Sequence, residues 1–391
     1  NKTNKSVRRG DLEYYYKKGI GWSQMAGGVN KAYSEMVNAV CKTTTPMFYV
    51  FDSEKYNYIL GYLNSSLPPI ILKSLNPTLS ILTSDIVNLP FLYDESYKKE
   101  IDQLVESCLF LSKSMYAEQE ENWQFKKNPL IEFNRKLSDI YSEWKRLSEK
   151  RCAELIENEK KLNHIFIDIM GLREELSASN NTPIVINDEE AVRRFISYLV
   201  GCLFGRYSLD DDGLAYAGGV WDEKIFNHFL PDRDNILPIT DEEYFSDDIV
   251  FLIVDFIKKV YGAQYLEENL NFIANALSNR ENSSRETIRN YFVKEFFKDH
   301  CKFYQKRPIY WLFDSGKHNG FKALIYMHRY DENTIGNLRI DYLHRMQRIY
   351  ENEIARMQDT IENSRDAREV TAATKRKEKL IKQLQETKEY D

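Results

Sequence analysis

Carboxylates in one loop are the first residues of this sequence that could do chemistry, because Asp and Glu bind metal ions and transfer protons. Asp210, Asp212 and Gly213 begin a run that superficially resembles a calcium-binding loop. The glutamate that completes such a loop is missing, since Gly219 stands in its place, so we predict no calcium site. Asp232 follows a proline, as in many nucleases, but no Glu-x-Lys pair follows at useful spacing. Without a recognisable metal-binding carboxylate pair, we do not expect nuclease activity.

The other patterns that support catalysis are missing as well. Asn76–Pro77–Thr78 and Asn128–Pro129–Leu130 lack the second proline and the aromatic residue with which an Asn-Pro-Pro-aromatic loop holds an extruded adenine. No glycine-rich loop follows a predicted strand, no Walker lysine motif occurs, and the six histidines lack metal-binding spacing. No Ser or Cys lies in a recognisable nucleophile elbow. We therefore predict that this chain, taken alone, is not catalytic and holds no cofactor or metal.

Two segments combine basic with aromatic residues, a pattern that suits phosphate contact and base stacking. The first is NKSVRRGDLEYYYKKGIGWSQ, near the start of the chain. The second is residues 306–330, KRPIYWLFDSGKHNGFKALIYMHRY, where two apolar runs of period two flank a glycine-containing turn and predict a covered β-hairpin. The structural alternatives are a solvated β segment and a core hairpin. The candidate DNA contacts are Arg8, Arg9, Tyr15, Lys17, Lys18, Trp22, Lys306, Arg307, Lys317, Arg329, Arg339 and Arg345.

Charge is distributed unevenly along the chain, although its net value is only −6. Residues 1–50 carry eight Lys and Arg against three Asp and Glu, and residues 302–348 carry nine against four. Residues 208–255 carry two against thirteen. This asymmetry excludes nucleic-acid binding over the whole protein surface. It leaves two local basic patches as candidate binding surfaces. We expect the acidic stretch to face solvent or a basic protein surface.

Composition is that of an ordinary globular protein of 391 residues, 42% hydrophobic and 29% charged. No apolar run approaches the roughly 20 residues that a membrane span needs. Five widely separated cysteines indicate a reducing compartment, so we predict a cytoplasmic protein without a membrane partner. The chain begins with Asn and ends inside a charged helical pattern, and we expect it to be a piece of a longer protein.

Apolar residues at spacings of three and four predict a mostly helical α+β fold. Helices are expected over 249–277 and 284–304, the second capped by Ser283 or Ser284 with Glu286. Four parts are predicted: a mixed, strand-rich module (1–94), a helical spacer (95–178), an α+β module with hairpin 306–330 (179–345), and a coiled helical arm (346–391). Two antiparallel helices and a partner-binding arm both fit the last part.

Six stretches carry a family resemblance. They are NKSVRRGDLEYYYKKGIGWSQ; YNYILGYLNSS with LNPTLSILTSDIVNLPF; FISYLVGCLFGRYSLDDDGLAYAGG; PITDEEYF; SSRETIRNYFVKEFFKDHCKFYQKRPIYWLFDSGKHNGFKALIYMHRY; and TIGNLRIDYLHRMQRIYE. In this order they are similar to the C-terminal half of PglX, the adenine-specific DNA methyltransferase family of the BREX phage-defence systems, which is related to restriction–modification enzymes. Residues 1–94 resemble the later part of its target-recognition domain. MAGGVNKAYSEMVNAVCKTTTPMF departs from the strand-rich pattern expected there.

The resemblance implies a whole protein that transfers a methyl group from S-adenosylmethionine to adenine N6. The family's catalytic motif and cofactor pocket lie N-terminal to anything present here, so no catalytic or cofactor residue carries over. For this part the resemblance implies DNA recognition and complex assembly. The implied partners are double-stranded DNA, other BREX components and a phage DNA-mimic inhibitor. The alternative is a protein-interaction scaffold within the defence complex, in which the basic patches do not touch DNA.

Overall fold

Helices make up most of the structure, a computed structural model that describes residues 14–25, 33–39, 44–76, 78, 80–173, 186–277 and 283–391. With two small antiparallel sheets, they confirm the predicted helix-rich α+β fold. The helices are α1 Tyr56–Asn64, α2 Leu67–Leu75, α3 Thr83–Val87, α4 Glu95–Tyr116, α5 Leu137–Ile169, α6 Asp188–Leu203, α7 Ile249–Tyr261, α8 Leu266–Ala276, α9 Ser284–Lys294, α10 Phe296–Phe303, α11 Thr334–Asn337, α12 His344–Asn363 and α13 Ala367–Tyr390. The strands are β1 Gly19–Gly21, β2 Ser34–Met36, β3 Met47–Phe48, β4 Ile236–Pro238, β5 Tyr310–Asp314 and β6 Lys322–Tyr326.

The chain divides into two units, each with its own core. Unit 1 comprises residues 1–115 and 148–185, and unit 2 comprises residues 116–147 and 186–391. The finer division into four parts stays a prediction.

Unit 1 packs short helices and a three-stranded antiparallel sheet of order β2-β1-β3 around an aromatic core. Ile101 and Val105 of α4 are buried in this core, as their helical spacing predicts. Gly61 of α1 approaches α4 so closely that a Cβ there would lie 2.8 Å from Val105 Cγ2. Close contact between the two helices therefore depends on glycine at this position.

Unit 2 is built around an antiparallel sheet of order β4-β6-β5, in which β5 and β6 form the predicted hairpin. Tyr310 and Leu324 point into a large core with α6 to α9. Ala323 and Ile325 point into a second core with α12 and α13. The central strand β6 is therefore covered on both faces, as its apolar run predicts.

The last two helices form an antiparallel pair, in agreement with one of the two expected arrangements. Lys388 Nζ lies 2.6 Å from Glu351 Oε1, and Gln347 Nε2 donates to the Thr387 carbonyl at 3.1 Å. Tyr350 and Leu380 are buried in the core that covers the sheet. The predicted arm, residues 346–391, is thus part of unit 2.

Two predicted helices are each broken in the structure. Residues 249–277 form α7 and α8, because Gly262 between them has φ +90° and ends the first helix. Residues 284–304 form α9 and α10, which divide at Glu295. The predicted capping box is confirmed, since Glu286 N donates to Ser283 Oγ and Ser283 N donates to Glu286 Oε2.

None of the described helices is both long and apolar enough to cross a membrane. The four cysteines among the described residues, Cys108, Cys152, Cys202 and Cys301, are free thiols.

Candidate functional site

Four of the predicted DNA contacts are exposed cations of unit 2, and we call them the four-cation set. They are Lys306, Arg307, Lys317 and Arg345. Among the described residues, no carboxylate lies at ion-pair distance from Lys306, Arg307 or Lys317, whereas the charge of Arg345 offsets part of the rise in the pKa of nearby Asp247. The Arg345 guanidinium lies 5.3 Å from the centre of the Phe245 ring. Unpaired surface cations are the groups that contact phosphates in nucleic-acid complexes.

A strained turn holds the first two of these cations. Gln305 and Lys306 have φ values of +50° and +62°, a left-handed conformation that residues with a Cβ rarely adopt. Two backbone hydrogen bonds support the turn, from Lys306 N to the Cys301 carbonyl at 2.7 Å and from Arg307 N to the Tyr304 carbonyl at 2.8 Å. The turn therefore joins α10 to β5 in a defined geometry.

The hairpin tip that carries Lys317 is held by a carboxylate of α13. Glu386 accepts hydrogen bonds from Ser315 Oγ at 2.8 Å, His318 N at 2.7 Å and Gly320 N at 2.9 Å. Burial opposes ionisation of Glu386, but these three hydrogen bonds outweigh it and lower its pKa. Glu386 thus fixes the backbone from which Lys317 projects.

Replacing Glu386 with glutamine is expected to lower the free energy of unfolding by about 2–3 kcal/mol, because charge-assisted hydrogen bonds are lost and an amide N–H₂ meets backbone donors. The stabilisation from Glu386 should be complete above the pKa of glutamate in the unfolded chain. It should disappear as the pH falls through the lower pKa of the folded state. Denaturant unfolding at pH 7 measures the effect. Glu389→Gln, an exposed position on the same helix, should change stability by less than about 0.5 kcal/mol.

Arg329 and Arg339 are engaged within the protein. The Arg329 guanidinium donates to the carbonyls of Phe204, Asp232 and Arg233 at 3.2, 2.8 and 2.9 Å. Arg329 therefore holds the protein backbone with these three hydrogen bonds, and its contact with a phosphate stays a prediction. Arg339 is exposed and pairs with Asp391 at 2.7 Å.

The predicted contacts of unit 1 are only partly available to a ligand. Lys17 is exposed, with its Nζ 4.9 Å from the centre of the Tyr14 ring, and Tyr15 is half-buried. Lys18 pairs with Glu35 at 2.6 Å. Trp22 is 2% exposed and donates its indole N–H to the Ile81 carbonyl at 3.1 Å. The expectation that Trp22 offers a stacking surface is therefore corrected. Arg8 and Arg9 lie outside the described residues.

A pocket of about 390 Å³ in unit 2 brings three carboxylates together. Asp232, Asp234 and Asp247 each place one oxygen within 4.8 Å of the others. The Tyr342 hydroxyl contacts both Asp234, at 2.7 Å, and Asp247. Tyr342 lies in a π-helical segment, Leu338–Leu343, a conformation that is frequent at functional sites. The remaining lining is mostly apolar: Leu203, Phe229, Leu230, Pro231, Arg233 and Leu252.

Burial, together with repulsion between the carboxylates, raises pKa values in this acidic pocket. Burial, followed by the neighbouring Asp234, raises the pKa of Asp232 to about 8. Burial also raises the pKa of Asp247. At neutral pH the cluster therefore retains a proton, which lowers its negative charge. We assign no metal ion to these residues.

The sequence did not reveal that carboxylates meet in this pocket. Asp232 stands out in the sequence because it follows a proline, but its partners do not. Asp247 lies fifteen residues further along, and the Tyr342 hydroxyl comes from a segment about a hundred residues away. The acidic composition of residues 208–255 was the available signal, and it does not specify which side chains meet.

A second buried polar cluster in unit 2 surrounds Glu120. Its Oε2 accepts hydrogen bonds from Ser197 Oγ at 3.0 Å and Tyr304 OH at 3.1 Å. Its Oε1 has no partner among the described residues. Burial raises the pKa of Glu120 to about 7, although Ser197, Arg206 and Tyr304 favour the ionised form. Sequence reasoning missed this group, because no motif surrounds it.

The Glu120→Gln variant is expected to be more stable than the native protein above pH 7. The folded state holds a proton on Glu120 that the unfolded chain releases near its ordinary glutamate pKa, so native stability should fall as the pH rises from about 4.5 to about 7. At pH 8 the gain from the substitution should be about 3 kcal/mol, from about 1.4 kcal/mol for each of the roughly 2.5 pKa units that separate the folded and unfolded states. Denaturant unfolding from pH 5 to 8 measures it. An unchanged pH dependence in the variant would contradict this interpretation.

Comparison with known proteins finds two curated relatives of this chain. Adenine-specific methyltransferase PglX of Lacticaseibacillus casei (strain Zhang) is 35% identical over 392 residues, which cover 97% of this chain and 32% of that protein. Adenine-specific methyltransferase BrxX of Escherichia coli O9:H4 (strain HS) is 32% identical over 368 residues, which cover 86% of this chain and 30% of that protein. No family model matches the chain.

These similarities relate the chain to adenine-specific methyltransferases. Within that class it corresponds to part of a PglX-like protein, and the predicted resemblance is confirmed. The chain spans about a third of the length of the curated relatives it matches.

Proposed function

We propose that this chain is the non-catalytic DNA-recognition and assembly part of an adenine-N6 DNA methyltransferase of a BREX phage-defence system, acting in the cytoplasm. One observation carries the proposal. Almost the whole chain, 97% of it, is similar to an adenine-specific methyltransferase, but the matched region makes up only 32% of that protein. The four-cation set supports a role in holding DNA.

The described residues offer a poor fit to S-adenosylmethionine, the methyl donor proposed for the whole protein. Open parallel α/β sheets bind nucleotide-type cofactors in a crevice at the carboxyl ends of their strands. Both sheets of the described residues are antiparallel and three-stranded. We therefore derive no catalytic step for this chain and place methyl transfer outside the part described.

A gel shift with duplex DNA at low salt tests the proposed function. We expect this chain to retard the duplex and an acidic phage protein that mimics DNA to reverse the retardation, because both ligands would meet the same cations. Absence of any shift at low salt would contradict DNA recognition by this chain.

The acidic pocket favours a second candidate function, that of a protein-interaction scaffold. Leu230 is 69% exposed at the rim of the pocket, and three carboxylates lie within it. Such a surface repels DNA and suits a basic protein partner. A chain that gives no DNA shift but binds another BREX component would support this alternative.

A further inference from the structure

A large aromatic side chain is exposed on the outer strand of the unit 2 sheet. Trp311 of β5 pairs with Ile325 of β6, and the two side chains therefore lie on the same face. Ile325 is 1% exposed within the core below α12 and α13. Trp311 is 54% exposed, since no further strand of the described residues pairs with β5. Packing of unit 2 thus leaves much of this indole uncovered.

Other exposed groups lie close to Trp311. Arg307 precedes it by four residues, at most about 14 Å of extended chain, and Lys306 comes directly before Arg307. Met327, 41% exposed, follows the partner residue Ile325 by two positions, directly after the end of β6. The Met327 N–H donates to the Ile309 carbonyl at 3.0 Å, which keeps this end of the hairpin together. The Trp311 surface, as we call it, comprises Lys306, Arg307, Trp311 and Met327.

This surface combines two uncovered apolar side chains with two cations that have no carboxylate partner among the described residues. The matching ligand is anionic and presents flat apolar surface beside its charges. Duplex DNA has both properties, with phosphates at the edge of each groove and sugars and base edges within it.

We propose that Trp311 contacts sugars and base edges in a DNA groove while Lys306 and Arg307 hold the flanking phosphates. This inference rests on the proposed function and adds to it a contact that does not depend on charge. Aromatic and apolar side chains in protein–DNA interfaces act in this way by excluding water and unstacking or supporting bases.

Trp123 provides a matched control in the same unit. It is 99% exposed, more than Trp311, but the cations beside it already have partners: Lys126 lies 3.4 Å from Asp212, and Lys127 donates to the Leu209 carbonyl at 3.0 Å. If exposure of an indole were sufficient for DNA contact, the two tryptophans would behave alike. If unpaired cations beside the indole are also required, only Trp311 contributes.

The test is fluorescence anisotropy of a labelled duplex titrated with the native chain, Trp311→Ala and Trp123→Ala at several salt concentrations. We expect Trp311→Ala to weaken binding about tenfold or more, the range for loss of one aromatic–base contact, without changing the slope of log K against log salt. Trp123→Ala should bind as the native chain does. Circular dichroism should show native helix content in both variants.

The outcomes separate this inference from the proposed function. If the native chain binds DNA and Trp311→Ala binds equally well, the Trp311 contact is overturned while the proposed function stands. A changed salt slope in Trp311→Ala would also overturn it, because the effect would then come from displaced cations. If the native chain does not bind DNA, the proposed function fails and this inference fails with it.

Discussion

Replacing the four-cation set, Lys306, Arg307, Lys317 and Arg345, with alanine is expected to reduce the slope of log K against log salt for duplex DNA by about 3–4. Each phosphate neutralised on duplex DNA contributes about 0.9 to this slope, because binding releases condensed counterions. At low salt the affinity should fall more than about 100-fold. Fluorescence anisotropy at five salt concentrations measures both quantities.

The control for this prediction removes the same amount of charge from positions that already have partners. Lys136, Lys145, Lys259 and Arg285 lie in unit 2 and pair with Glu268, Asp188, Asp255 and Glu267, respectively. Because a neighbouring carboxylate already neutralises each of them locally, their replacement with alanine should change the slope by less than about 1. Equal slopes in the two quadruple variants would show that net charge alone drives DNA binding.

Replacing Arg289 with methionine is expected to lower the free energy of unfolding by about 3–5 kcal/mol, the cost of leaving a buried carboxylate unpaired. The Asp248 side chain is 0% exposed and receives two hydrogen bonds from the Arg289 guanidinium, at 2.7 and 2.8 Å. It also accepts the Val250 N–H at 3.0 Å and so caps α7. Methionine keeps the aliphatic volume of the arginine side chain but removes its charge and donors.

Arg285→Met on the same helix is the matched control for Arg289→Met. Arg285 pairs with Glu267, but the two side chains are 44% and 63% exposed. Solvent screens such a pair, so the change should cost less than about 1 kcal/mol. Urea unfolding of the two variants provides the comparison. If both substitutions cost the same, the buried Asp248–Arg289 pair does not stabilise unit 2 as described.

Sequence patterns predicted the local features of this fold well. The hairpin of β5 and β6, the capping box at Ser283 and the antiparallel pair α12 and α13 all appear in the structure. Each depends on residues that are close in the chain, such as an apolar alternation, a cap or a stripe at helical spacing. Such short-range patterns can be read from the sequence without knowing how distant segments pack.

Contacts between distant segments could not be predicted from these patterns. Arg329 and Lys317 both look like exposed cations of a hairpin, yet Arg329 holds carbonyls from residues about a hundred positions away. Trp22 lies among basic residues in the sequence, but its indole donates to Ile81 in the core of unit 1. Whether a cation or a ring remains available to a ligand depends on such long-range partners. The meeting of Asp232 with Asp234 and Asp247 in the acidic pocket was missed for the same reason.

The most direct test of DNA recognition by this chain is the salt dependence of its binding to a short duplex. We predict measurable affinity at 50 mM salt and a linear fall of log K with log salt whose slope is steeper than about −3, as several phosphate contacts require. No binding at 50 mM salt, or an affinity independent of salt, would contradict the account.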